Sequence, residues 1–227
     1  MYRSKRKKET NEYLYKCTFF TKDPNSVWPL LMETNMIEWK HVISFEGIDC
    51  LFMDVIQEAA RCRNATLELD GKLSYIMVLE NPSDMPSQRT DIASRISHLD
   101  LSHAELVNRT WKFGGDDTGL RFVENAIQNF PNCCLLDEAG NPVSWILSYP
   151  YCALGLLYTV PEHRRKGYAK ILVTTFVKTL QDLGYPVYCH IEKTNSASYT
   201  LFKKLGFKEV PGCTMMWLLS KPDTFST

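Results

Sequence analysis

The chain has no excess charge of either sign: 26 Lys and Arg stand against 26 Asp and Glu in 227 residues. Without a net basic field there is no global electrostatic case for a nucleic-acid partner. No apolar run approaches the ~18 residues that a bilayer span needs, and the first residues hold no apolar signal-peptide segment. No membrane partner is expected, and the reading is of a soluble intracellular protein. None of the 8 cysteines forms a Cys-x-x-Cys pair, and they are scattered through apolar stretches. That pattern argues for core thiols in a reducing compartment, and against a zinc site or a disulfide scaffold. Internal repeats, low-complexity tracts and acidic clusters are also missing.

What is present is local. Residues 1–12, opening MYRSKRKKE, form a basic arm that reads as a solvated tail in preference to a targeting address. The sequons Asn64-Ala-Thr66 and Asn108-Arg-Thr110 carry little meaning in a reducing compartment. The length suits one large or two small α/β domains. Between residues 13 and 80, strands are expected near Tyr15 to Phe20, Val42 to Phe45 and Tyr75 to Leu79. Helices are expected near Val27 to Glu33 and Leu51 to Cys62. NPSDMPSQRT, Asn81 to Thr90, reads as a linker. The expected division is therefore a 1–12 arm, a 13–90 front half with linker, and a 91–227 C-terminal domain.

In that last part the spacing predicts helices from His103 to Trp111, capped by Ser102, and from Thr118 to Asn129, with FGGDD as the turn between them. Strands at Cys133 to Leu136 and Val143 to Ser148 flank the hairpin signal DEAGN, and the apolar run Cys152 to Thr159 suits a strand covered on both faces. A helix from Tyr168 to Leu183 stops at Gly184, a strand runs from Val187 to Ile191, and a helix from Ser196 to Lys204. Thr214 to Leu219 is expected to close the sheet.

The chemistry concentrates at VPEHRRKGYAKIL, Val160 to Leu172. A helix N-terminus offers unpaired N–H groups and a partial positive charge, so it takes an anion where the backbone can be approached closely. Gly167 permits that approach, and Arg164, Arg165 and Lys166 add charge. A basic triplet alone is more often a solvated turn; the order strand, Pro161, basic run, Gly167, amphipathic helix raises its weight.

Arg164-Arg165-Lys166-Gly167-Tyr168-Ala169 matches the R/Q-x-x-G-x-G/A signature of GNAT acyltransferases. The stretch from Asn195 to Phe202, continued by Gly206-Phe207, resembles their later N-x-x-A/S-x-x-L-Y-x-x-x-G-F motif. Val107 to Trp145, YPVYCHIE and TKDPNSVWPLLMETNMIEWK further resemble the glycine N-acyltransferase and glycine N-acyltransferase-like family. The resemblance runs from about Tyr13 to the end and is tightest from Asp100 to Tyr188. It implies a GNAT fold, a mixed α/β sheet flanked by helices, behind a truncated, degenerate GNAT-like N-terminal half. It implies acyl-CoA as co-substrate, no metal, an amino-acid acceptor with glycine first, a monomer, and mitochondria as the location with the cytoplasm as alternative. By the same resemblance Thr159 and Val160 hold the pantetheine arm, residues from Arg164 to Ala169 including Tyr168 hold the pyrophosphate, and Asn195 contacts CoA.

The chain departs from the family pattern where the base is expected: a glutamate of the glycine acyltransferases aligns with Ala153, and the thiolate-protonating tyrosine of many GNAT enzymes aligns with Phe202. His190 and Tyr199 are the substitutes considered for base and acid. The plainer readings are a strand histidine bonded to backbone and an aromatic in a core. Glu192, at the end of the same strand, is either a base acting through water or a solvated carboxylate. Glu162 and His163 read as exposed, Cys133 and Cys134 as buried strand thiols, and Trp111, Phe113 and Trp145 as core residues or acyl-tunnel lining. Two other functions stay open: an acyl-CoA-binding protein without catalysis, and an acetyltransferase acting on protein or polyamine amines.

Overall fold

A computed structural model describes residues 15–21, 23–33, 36–81, 85 and 92–223. The basic arm and most of the expected 81–90 linker lie outside the described residues. In chain order the elements are β1 (Tyr15–Cys17), α1 (Val27–Met32), β2 (Ile43–Asp49), α2 (Met53–Cys62), β3 (Ala65–Leu69), β4 (Ser74–Val78), β5 (Ile96–Ser97), α3 (Ala104–Thr110) and α4 (Asp117–Asn129). They continue with β6 (Asn132–Leu136), β7 (Pro142–Ser148), β8 (Leu154–Thr159), α5 (Tyr168–Asp182), β9 (Tyr188–Glu192), α6 (Ser196–Lys204), β10 (Lys208–Glu209) and β11 (Met215–Pro222). No described helix is long and apolar enough to cross a membrane.

The chain divides into two compact units at Ser74 and again at Gly212, not at residue 90. The first unit joins the front of the chain to its last strand. There β2 runs parallel to β1 and antiparallel to β11, and β11 in turn pairs with β3. This corrects the expectation that Thr214 to Leu219 would close the sheet of a C-terminal domain. The reason lies in β2, which buries five of its seven residues, so that its backbone groups are satisfied only with a strand on each edge. The unit has its own core: Val27 and Leu31 from α1, Ile56 and Ala59 from α2, Phe45 and Ile48 from β2, Met216 and Leu218 from β11. Trp39 closes it, donating its indole N–H to the Leu31 carbonyl at 3.1 Å. The strand β3, absent from the sequence expectations, alternates Ala65, Leu67 and Leu69 with Thr66 and Glu68 but leaves three of its five residues exposed.

The second unit, Tyr75–Pro211, is a mixed sheet in the order β4, β9, β8, β7, β6, β5, with β10 antiparallel to β4. Its strands alternate between two cores. Cys133, Leu135, Ile146 and Leu154 face α5, joining Leu172, Phe176 and Leu180. Cys134, Trp145, Leu147 and Leu156 face α3 and α4, joining Val107, Val123 and Ile127. Adjacent cysteines thus point into opposite cores, and burial pushes their thiols up to about 12 for Cys133 and about 11 for Cys134. Thiols so shifted are poor nucleophiles, in keeping with the reading of both as buried strand thiols.

Capping also differs from expectation in one place. Ser102 is not the cap of the α3 region; Asp100 is, accepting from the Ser102 N–H at 2.8 Å while His103 reaches back to the Asp100 N–H at 3.1 Å. The turn FGGDD is locked by Asn108, which accepts from the Gly115 N–H at 2.9 Å and donates to the Asp116 carbonyl at 3.2 Å. Asp116 then caps α4 by accepting from the Gly119 N–H at 2.7 Å. Asn108 is buried, so that sequon is no glycan acceptor in the folded chain.

Candidate active site

The site begins as an interruption in the second sheet. β8 is antiparallel to β7 along its length, with a register shift between Trp145 and Leu147 and a left-handed residue, Leu156, at φ 49°. On its other edge β8 is parallel to β9 at a single described register position, Leu154 with Cys189. Beyond that pair the strands are no longer partners, and backbone groups on the facing edges become available to a ligand. Ladder geometry decides which. The Val160 N–H donates to the Val143 carbonyl at 3.0 Å, and Thr159 lies opposite Ser144, so Thr159 turns its N–H toward the β9 side. Thr159 therefore has the better backbone claim than Val160, whose N–H already serves β7. Ser144 steadies this strand end, its hydroxyl donating to the Tyr158 carbonyl at 2.8 Å and lying 2.7 Å from the Thr159 hydroxyl.

The loop that follows β8 is built for close approach. A short turn of helix at Pro161–His163 leads to Arg165 at φ 61° and Gly167 at φ 83°, both left-handed. Gly167 is the cap of α5, and no atom of the described residues lies within 4 Å of where its Cβ would stand. The N–H groups of Tyr168, Ala169 and Lys170 precede the first helical bond of α5, made by Ile171 to the Gly167 carbonyl at 3.2 Å. They point out of the end of a 15-residue helix. The basic triplet splits in role. Arg164 folds back, donating from Nε to the Thr159 carbonyl at 3.0 Å with its guanidinium 5.4 Å from the Tyr158 ring, whereas Arg165 and Lys166 are exposed at the helix end. Asn195 caps α6, its Oδ1 accepting from the Ser198 N–H at 3.1 Å.

Two residues beside this loop were not legible in its motif. Arg95 lies with its guanidinium 5.7 Å from the Tyr168 ring and its Nε 2.7 Å from the Leu136 carbonyl. His163, expected at the surface, is half-buried, and its Nδ1 is shielded from solvent without a hydrogen-bond partner among the described residues. Glu162 is exposed, as expected.

Tyr188, His190 and Glu192 share the face of β9 opposite Cys189 and Ile191, which face α5. Burial holds the His190 imidazole down to about 4 and the Tyr188 phenol up to about 12. The Tyr188 hydroxyl donates to the Tyr151 carbonyl. Glu192 receives Lys112 on both carboxylate oxygens, at 2.5 and 2.6 Å. Ala153 has no exposed surface, and a larger side chain there would enter filled space. Phe202 is core, meeting Phe207 edge to face at 5.0 Å. The Tyr199 hydroxyl donates to Glu209 Oε2 at 3.0 Å, and that carboxylate raises its pKa. Among the described residues no group of three or more His, Cys, Asp or Glu could hold a metal ion.

A bulged strand parting from its parallel neighbour, beside a glycine-opened helix start, defines the GNAT fold, and solved structures agree. A Drosophila protein matches with a TM-score of 0.73 at 21% identity, covering 92% of this chain and 71% of its own. A putative acetyltransferase of the GNAT family from Novosphingobium aromaticivorans matches with a TM-score of 0.53 at 17% identity, covering 70% of this chain and 68% of its own. More particularly, residues 1–131 match the family model of the aralkyl acyl-CoA:amino acid N-acyltransferases and residues 133–220 match the model of its C-terminal region. The chain belongs to that family. Among its relatives, human glycine N-acyltransferase is 27% identical over 223 residues, 92% of this chain and 74% of the relative. The mouse enzyme of that name is 29% identical over 208 residues, 83% and 70%. Bovine glycine N-phenylacetyltransferase is 27% identical over 223 residues, 92% and 74%.

Proposed function

We propose that this chain transfers an acyl group from acyl-CoA to the α-amino group of an amino acid, glycine first. The observation that carries the reading is the parting of β8 from β9 directly before the Gly167 helix start. An extended pantetheine arm can pair with the free edge of β8 at Thr159, and a pyrophosphate can sit on the N–H groups of residues 165–169. The acceptor nitrogen attacks the thioester carbonyl carbon, a C–N bond forms, the C–S bond breaks, and CoA leaves as a thiolate that takes a proton. No enzyme nucleophile takes part.

The weak point of such a reaction is the proton on the acceptor. His190 is neutral at working pH and so in the accepting form, but at about 4 it lies some four units below a typical α-amino group, a gap worth about 5 kcal/mol. Proton loss to solvent is therefore the main route, with His190 as a weak acceptor. The Tyr199 hydroxyl is held by Glu209, so reprotonation of the thiolate also falls to solvent. General-base help is ordinarily worth ~10²–10⁴ in rate, so a slow enzyme is the expectation. The relatives' names support glycine as acceptor and, with the bovine relative, a phenylacetyl donor. By the same kinship the proposed location is the mitochondrion, and the proposed working form a monomer.

A second reading, an acyl-CoA-binding protein without turnover, is favoured by Ala153 and by the core role of Phe202. Thiol release from benzoyl-CoA and acetyl-CoA, measured with and without each common amino acid, separates the two. Acceptor-dependent release supports transfer and names the acceptor. Tight CoA binding with no release under any acceptor leaves the binding protein.

A further inference from the structure

The aromatic side chains on the α3 and α4 side of the second unit form a line with charged ends. Phe113 meets Trp111 at 5.8 Å, Trp111 stacks on Phe122 at 5.0 Å, and Phe122 meets Tyr149 at 5.9 Å. Tyr149 stacks on Tyr151 at 5.2 Å, and Tyr151 meets His190 at 5.9 Å. The line starts on either side of Lys112 and ends two residues before Glu192. The Lys112 to Glu192 ion pair therefore closes it into a ring, on the face of β9 that carries His190.

The pair itself is lopsided. The Lys112 side chain is 60% exposed and the Glu192 side chain 16%. An exposed ammonium on a flexible stem leaves its partner at little cost, whereas a shielded carboxylate needs a cation to remain. Lys112 is carried by the connection that Asn108 and the two glycines lock, so its backbone is placed firmly while its tip can move.

An amino acid near neutral pH is itself an ammonium joined to a carboxylate. Inserted between Lys112 and Glu192, it replaces one ion pair by two and leaves no charge uncompensated. We infer that Lys112 binds the carboxylate of the acceptor and Glu192 its ammonium, making this ion pair the element that selects an amino acid over other amines. The inference rests on the proposed amino-acid acceptor. An amine without a carboxylate takes Glu192 from Lys112 and offers Lys112 nothing in return, so it makes one of the two ion pairs and binds less tightly than an amino acid. Both are specificity residues; the bond-making groups remain the amine and the thioester.

The test uses the full chain with benzoyl-CoA and two acceptors, glycine and glycinamide. The wild type should prefer glycine by at least about 30-fold in kcat/KM, a loss typical of one missing charged partner. Lys112→Met should raise the KM for glycine about tenfold or more, barely change glycinamide, and leave the KM for benzoyl-CoA where it was. Lys112→Arg should restore most of the preference. Glu192→Gln should weaken both acceptors alike, since both carry the ammonium. An unchanged glycine to glycinamide ratio in an active Lys112→Met variant overturns the assignment. So does loss of CoA binding in that variant, which would give the pair a purely structural role. If the wild type acylates no amino acid at all, the proposed function itself falls and takes this inference with it.

Discussion

The two compact units have the same materials, strands layered with helices, the first around one core and the second around two, and use their sheets differently. In the first, β2 is bonded on one edge by β1 and on the other by β11 from Asp49 to Ile43. In the second, β8 is bonded by β7 along its length and by β9 at one described position. A strand satisfied on both edges stores its backbone groups in the ladder, whereas a strand abandoned on one edge offers them to an extended ligand. The left-handed Leu156 and the glycine-opened helix belong to the second unit, where they serve that exposed edge. The comparison teaches that the site is made less by special side chains than by where pairing stops.

Four perturbations sharpen that contrast. The largest effect is expected at Gly114, where an added Cβ would stand 2.3 Å from the Asn108 carbonyl oxygen. Backbone cannot yield there, so Gly114→Ala should cost about 3 kcal/mol in denaturant unfolding. It should also misplace Lys112, while Gly71→Ala in the first unit, with nothing within 4 Å, should cost about 1 kcal/mol through its φ of +100° alone.

Next comes acid. Burial lowers the folded-state pKa of His190 from 6.5 to about 4, so on acidification the unfolded chain takes up the proton first. Its contribution is whole above about 6.5, is lost by about 2 kcal/mol near pH 5, and stops falling below about 4. Thermal melts across that range should show a shallower acid loss for His190→Asn than for the wild type.

Gly167→Val tests the loop. Its φ of 83° penalises a β-branched residue, and the side chain would occupy the open space at the start of α5. Calorimetry should find CoA bound about tenfold or more weakly, with the far-ultraviolet circular dichroism of the sheet retained.

The smallest effect has the opposite sign and lies in the first unit. The Ser220 hydroxyl on β11 is fully buried without a hydrogen-bond partner among the described residues. Removing it in Ser220→Ala should stabilise by about 1 kcal/mol, and a destabilised variant would mean that the hydroxyl has a bridging partner such as water.

Much of this molecule was readable from its residues. The helix Ser196–Lys204 and its Asn195 cap, the hairpin around DEAGN, the α5 stop at Gly184 and the glycine at the start of α5 all lie close to their expected positions. Each depends on side chains within a few residues of one another. Such local rules, periodicity, caps and left-handed glycines, need no knowledge of the rest of the fold. Even the Asp100 cap, misassigned to Ser102, was only two residues away.

Other features were decided by the tertiary structure because their partners are far apart in the chain. β11 joins the first unit because β2 has a free edge there, and an apolar strand pattern does not name its neighbour. Arg95 reaches Tyr168, and Lys112 reaches Glu192, only after the strands have taken their register. The sequence by itself determined the pieces and the glycine-opened start of α5, whose physics is local. Only the tertiary structure decided where β8 and β9 part and which charges meet beside them, because register and loop path are global properties of the chain.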